Sequence, residues 1–179
     1  RALQARTEEA YETLIDLRKR RVHDRAFSVP GGLNQPELED LFYAEGVFKA
    51  AQIRMAKGAN SDAISLLEDA ISKNGREPEY RSYLAWALFG AGLAGENARS
   101  DLGGPDELLA TALQMRPKLE SAWLFKARIA DHRGDASAAL AAYYSVLNAN
   151  PENDEARLTI RTYREAGIEP AKQERMSLA

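Results

Sequence analysis

Apolar residues recur along this chain three and four positions apart, the spacing that lines one face of a helix, and glycine or proline interrupts the recurrence. The pattern predicts an all-α protein. Residues 2–25 read as a first helix with Leu3, Ala10, Leu14, Leu17 and Val22 in its stripe, Thr7 in the one gap and a break near Asp16. Ser28, Pro30, Gly31, Gly32 and Asn34 follow in a linker over 28–35. A helix from residue 36 to Lys57 comes next, capped by Asn34 or Gln35, with Pro36 in its first turn and Glu37, Glu39 and Asp40 near its positive end. Leu38, Leu41 and Phe42 extend that helix to cover the N-terminal segment.

Gly58 ends it, and Asn60 or Ser61 opens another in which Ala63, Ile64, Leu67, Ala70 and Ile71 face inward. Pro78 starts a helix rich in aromatic residues, with Tyr80, Tyr83 and Trp86 beside Leu84, Ala85 and Leu88. A short helix runs from Pro105 to Met115, and Lys118 to Pro151 holds a further helical pair. A last helix over 153–167 has Ala156, Ile160 and Tyr163 on one side and Arg157, Arg161 and Arg164 on another. Residues 168–179 read as a tail.

The helical pairs repeat. Gly58, Gly92 and Gly134 lie 34 and then 42 residues apart, whereas Ala70, Ala112 and Val146 lie 42 and then 34 apart. One arrangement satisfies both: repeats at 36–77, 78–117 and 118–151, with eight extra residues inside 93–104, between the helices of the middle repeat. A single pair cannot bury its own apolar face, so the pairs must stack.

Between Lys118 and Pro151 the pattern is carried by Trp123, Ala127, Ala130, Gly134, Ala139, Tyr143, Val146 and Pro151. Ala127 and Ala139 fall where two helices cross, and only a short side chain there lets the backbones approach. Spaced this way the residues resemble the tetratricopeptide repeat of about 34 residues. Ala130 stands where that family has an aromatic, and Val146 where it has a small residue. The resemblance implies an α-solenoid of three repeats, closed by a capping helix at 153–167 whose polar outer face replaces a further neighbour.

Near the start, Ala10, Tyr11, Leu14, Asp16, Lys19, Arg20, Arg21 and Asp24 resemble the end of a J domain, with departures at Ile15, Leu17 and His23. This implies that residues 1–27 are the remnant of a J-domain-like end, in a bacterial protein that places such a domain before its repeats. A first residue of Arg rather than Met fits the expectation of a fragment or a processed product. The His-Pro-Asp loop with which that family drives DnaK-type chaperones does not occur, so the resemblance assigns no co-chaperone activity.

Composition narrows the function. With 179 residues, 45% hydrophobic and 28% charged, the chain can bury a core and is not a disordered tail. No apolar run nears the roughly 20 residues that span a bilayer, and no charged-then-apolar leader opens the sequence. The absence of cysteine removes disulfide and thiolate chemistry and suits the cytoplasm. A formal charge of −3 disfavours non-specific nucleic-acid binding, and the basic run from Arg18 to Arg25 is expected as a solvated helix face.

Candidate chemistry is sparse. His23 and His132 fall in different modules, and the pairs Glu8-Glu9, Glu39-Asp40 and Glu68-Asp69 are adjacent residues that point to different helix faces. Gly103-Gly104 lacks the preceding strand, the Lys and the Ser or Thr of a phosphate-binding loop. No catalytic residue, metal or cofactor is assigned, and no enzymatic activity is expected.

The repeat resemblance implies binding instead. In tetratricopeptide arrays the first helix of each pair lines a concave groove. The matching positions here are Phe48, Gln52 and Met55, then Ser82, Trp86 and Phe89, then Leu124, Arg128 and Asp131, and finally Arg157, Arg161 and Arg164. They grade from apolar to basic. The Lys and Asn with which the family clamps acidic chaperone tails are missing, so such tails are not expected. The expected partner is a helix or extended segment of another protein. Its apolar side chains rest on Trp86, Phe89 and Phe48, and an acidic stretch lies towards Arg128, Arg157 and Arg161. The competing reading is a structural scaffold without a groove ligand, either covered by residues 2–25 or self-associating.

Overall fold

The computed structural model describes residues 35–170 except 97 and 101. The expected J-domain-like segment at 1–27, the linker up to residue 34 and residues 171–179 of the tail lie outside the described residues. The chain divides into two compact units, Arg1–Asp40 and Leu41–Ala179, and the packing described is that of the second.

Among the described residues there are seven helices and no strand: α1 (Gln35–Ala56), α2 (Asn60–Lys73), α3 (Pro78–Leu93), α4 (Pro105–Met115), α5 (Glu120–His132), α6 (Ala136–Ala149) and α7 (Asp154–Glu165). None of these is long and apolar enough to cross a membrane.

Local chemistry sets where the helices begin. Glu77 accepts the Glu79 N–H at 3.2 Å ahead of α3, Asp135 the Ala138 N–H at 3.0 Å ahead of α6, and Asn153 the Ala156 N–H at 2.8 Å ahead of α7. Each bond satisfies a first-turn donor that has no partner within the helix and is worth about 1 kcal/mol. Pro78 and Pro105 open α3 and α4, where a missing N–H is harmless. At α4 the Glu107 carboxylate also reaches back to accept the Gly104 N–H at 3.1 Å.

Gly58 and Gly134, with φ of 76° and 78°, turn the chain after α1 and α5 in the left-handed conformation that a β-carbon disfavours. The middle turn departs from the expected place. Gly92 lies inside α3, and the left-handed position is taken by Gly95. Burial of Leu88 and Ala91 carries the helix past Gly92, because a glycine without a required positive φ does not end a helix that is still packed. Residues 94–104 then join α3 to α4, whereas the other helices are linked by only three or four residues.

Each helix from α2 to α7 packs on the next, and α3 also packs directly on α5. Contact between alternate helices is what stacked pairs produce. Ala63, Ile64, Leu67, Ala70 and Ile71 form the buried face of α2. One core gathers them with Leu84, Leu88, Leu108 and Leu109, and a second gathers Ala139, Leu140, Tyr143, Val146, Ala156 and Ile160. Helix α5 serves both. Ala122, Phe125 and Ile129, spaced three and four apart, enter the first core, while Ala127 enters the second. A helix with two apolar faces is one that is packed from two sides.

Candidate binding groove

Helices α1, α3 and α5, the first members of the helical pairs, bring a row of rings together. Centroids lie 5.0 Å apart between Phe48 and Tyr83, 5.1 Å between Tyr83 and Phe125, and 5.3 Å between Phe125 and Trp86, whose planes are 3° from parallel. The row continues from Trp86 to Phe89 at 5.7 Å and from Phe89 edge-on to His132 at 5.4 Å. Phe48 also meets Tyr80 at 4.8 Å. Ring pairs in these geometries add about 0.5–1.5 kcal/mol each beyond the area they bury. They join three helices into one surface.

Trp86, Phe89, Gln52, Met55 and Leu124 are half-buried. Two expected groove residues are not at the surface. Phe48 keeps 5% of its exposure and Ser82 none. The Ser82 hydroxyl donates to the Glu79 carbonyl at 2.8 Å and lies 2.9 Å from the Ser121 hydroxyl. There α3 and α5 approach so closely that a short side chain is enclosed, and Ser82 pins one helix to the other instead of meeting a ligand. Tyr83 and Phe125, absent from the expected set, link the rings of α1 to Trp86. Their signal is in the sequence, since they stand 42 residues apart, the interval that also separates Gly92 from Gly134.

Three of the four expected basic side chains, Arg128, Arg157 and Arg161, are already engaged. The Arg128 guanidinium lies over the Trp86 ring at 5.7 Å. Its Nε donates to Glu155 Oε1 at 2.7 Å and its Nη2 to Glu155 Oε2, a two-point pairing that ties α5 to α7. That hydrogen bond raises the Arg128 pKa, against the opposing effect of burial. Arg157 pairs with Glu152 at 2.8 Å and Asp154 at 3.8 Å, and Arg161 with Glu165 at 2.9 Å. The acidic stretch expected towards Arg128, Arg157 and Arg161 therefore meets cations that the chain's own carboxylates compensate.

Beneath this end, the Tyr143 hydroxyl donates to Asp131 Oδ2 at 3.2 Å. Burial first, and then the Asp131 and Glu155 carboxylates, push the Tyr143 phenol from 10.0 up to about 12. Burial also raises the Asp131 carboxyl. A phenol held above its unfolded value stabilises the fold fully below pH 10.0, and that contribution is lost as pH rises through about 12. The phenolate absorbance of Tyr143, obtained as the difference between the parent and Tyr143→Phe, should therefore appear only near the upper end of this window. Thermal stability of the parent should fall over the same range. A Tyr143 transition at the ordinary phenol value would contradict the burial described.

Among the described residues no group of three or more His, Cys, Asp or Glu is placed to hold a metal ion. No protein-family profile and no curated protein matches the sequence. Solved structures do match. The first TPR domain of Spaghetti (RPAP3) bound to the HSP90 peptide SRMEEVD is similar over 70% of this chain and 96% of that one, with 16% identity and a TM-score of 0.59. The fold is that of tetratricopeptide repeats. The Arabidopsis OM64 TPR domain is similar over 71% of this chain and 98% of that one, at 16% identity and a TM-score of 0.58. The first TPR domain of human RPAP3 covers 69% and 91%, at 17% identity and a TM-score of 0.57. At such identities the likeness establishes the fold, a tetratricopeptide-like α-solenoid.

Proposed function

We propose that this protein is a non-catalytic interaction module whose tetratricopeptide groove holds a peptide or helix of a partner protein. The observation that carries the reading is the continuous row of half-buried rings from Tyr83 through Trp86 to Phe89, supported from below by Phe125 and Phe48. Exposed parts of rigid aromatic side chains set in a packed surface make effective anchors, because little side-chain entropy remains to be lost when a ligand covers them. The RPAP3 domain among the structural neighbours is bound to an HSP90 peptide, which supports a peptide as the ligand class. An acidic stretch of the partner would have to displace Glu155, Glu152, Asp154 or Glu165 from the arginines, so the apolar anchors at Trp86 and Phe89 supply the affinity. The wider reading is a cytoplasmic bacterial protein in which a J domain precedes the repeats, supported by the J-domain-like wording of residues 7–25.

Peptides selected from a random displayed library against residues 1–179 test the groove directly. Fluorescence anisotropy should show about tenfold weaker binding to Trp86→Ala than to the parent. Gln114→Ala, on the exposed side of α4, should bind as the parent does. Selected peptides that hold Trp86→Ala as tightly as the parent would place the site elsewhere.

A further inference from the structure

Resting on the groove reading, we infer that the partner segment is basic: a Lys or Arg side chain enters a cavity beside Glu79 while an apolar side chain of the same segment rests on Trp86 and Phe89. The cavity measures about 340 Å³ and is walled by Phe42, Phe48 and Tyr80 together with Glu45, Glu77 and Glu79. Aromatic walls suit the alkyl stem of a long cationic side chain, and carboxylates suit its head. None of these residues belongs to a group placed to hold a metal ion.

The charges left unanswered decide the sign. At the arginine end every side chain expected to meet an acidic ligand has an internal carboxylate partner: Arg128 with Glu155, Arg157 with Glu152, Arg161 with Glu165. At the cavity the balance is reversed. Glu77 is taken by Arg116 at 3.1 Å and Glu45 by Lys49 at 3.4 Å. Among the described residues none forms an ion pair with the Glu79 carboxylate. Burial, then Glu77 and Glu45, raise its pKa, and Arg116 opposes them only in part. A positive charge arriving here relieves that repulsion, whereas an acidic residue would add to it.

Helix geometry joins the cavity to the rings. Glu79, Tyr83 and Trp86 are four and three residues apart and share one face of α3. The seven residues from Glu79 to Trp86 rise about 10 Å, which an extended ligand covers in about three residues. A basic residue three positions from a large apolar one is the pattern this face fits. Glu45 and Glu79 also stand 34 residues apart, one repeat period, so successive repeats present carboxylates at matching positions.

The test uses residues 1–179 and three peptides that share the core Ala-Ala-Phe-Leu and begin with Lys, norleucine or Glu, each titrated by NMR with the Trp86 indole as reporter. The Lys peptide should bind about tenfold more tightly than the norleucine peptide, with the Glu peptide weakest. Glu79→Gln should bring the Lys peptide down to the norleucine level and leave the norleucine peptide unchanged. If the Glu peptide binds best, or if Glu79→Gln does not weaken the Lys peptide, the inference fails while the groove reading stands. If cadaverine, a free diamine, binds as tightly as the Lys peptide, the cavity takes free amines and the segment is not its ligand. Loss of the groove itself would show separately, as library-selected peptides indifferent to Trp86→Ala.

Discussion

Leu84→Ala should lower the unfolding free energy by about 3 to 5 kcal/mol, the largest effect of any single truncation considered. Leu84 has no exposed surface and lies in α3, which packs on α2, α4 and α5. With helices on three sides, the void left by the missing carbons cannot close without shifting a neighbour. The lost contacts then add to the lost transfer energy. In a chain of this length the change corresponds to a melting temperature lower by about 10 °C, measured by far-ultraviolet circular dichroism. Leu158→Ala serves as the control, since that side chain of α7 is 67% exposed and should change stability by less than about 0.5 kcal/mol. A loss below about 1 kcal/mol for Leu84→Ala would mean that α3 is not held from three sides.

Ala139→Leu should have the next largest effect, a destabilisation of about 2 to 3 kcal/mol caused by added volume. Ala139 in α6 and Ala127 in α5 are both fully enclosed, and both belong to the core shared by these helices. Three further carbons at this crossing force the two backbones apart, because interiors at this packing density have no space to accept them. Displacing α5 also disturbs what it presents to the groove, so the Arg128 guanidinium over Trp86 and the stacking of Phe125 on Trp86 should loosen together. Quenching of Trp fluorescence by iodide would rise in Ala139→Leu if α5 moves. Ala110→Leu, on the exposed side of α4, should leave both readings unchanged. Unaltered stability in Ala139→Leu would show that the crossing is looser than its burial indicates.

The electrostatic features follow a different logic from the core. Surface pairs such as Arg161 with Glu165 contribute only a few tenths of a kcal/mol, but they determine which charges remain for a partner. Arg128, Arg157 and Arg161 each face an internal carboxylate, whereas among the described residues Glu79 has no ion-pair partner, so the residual charge differs in sign from what a count of charged residues would suggest. A formal charge of −3 spread over the whole chain does not convey this.

Much of the architecture is legible in the residues. The spacing of Ala63, Ile64, Leu67, Ala70 and Ile71 predicts the buried face of α2, because a helical period depends only on neighbours a turn away. Pro78 and Pro105 mark helix starts for the same local reason. The turn at Gly95 instead of Gly92 was not legible, since it depends on how far burial carries α3. Ser82 shows the same limit within the groove. Periodicity gives its position on α3, but its depth is set by the approach of α5.

By itself, then, the order of residues determined an all-α tetratricopeptide-like stack and the face of each helix that turns inward, since both rest on short-range periodicity and on small residues where helices cross. Tertiary structure alone decided which faces lie open and which charges remain unpaired. Arg128 meets Glu155 across 27 residues, and Phe48 meets Tyr83 across two helices, only because the pairs stack with one particular rotation and offset. No local period encodes that offset. It arises from the packing of every side chain between the helices at once.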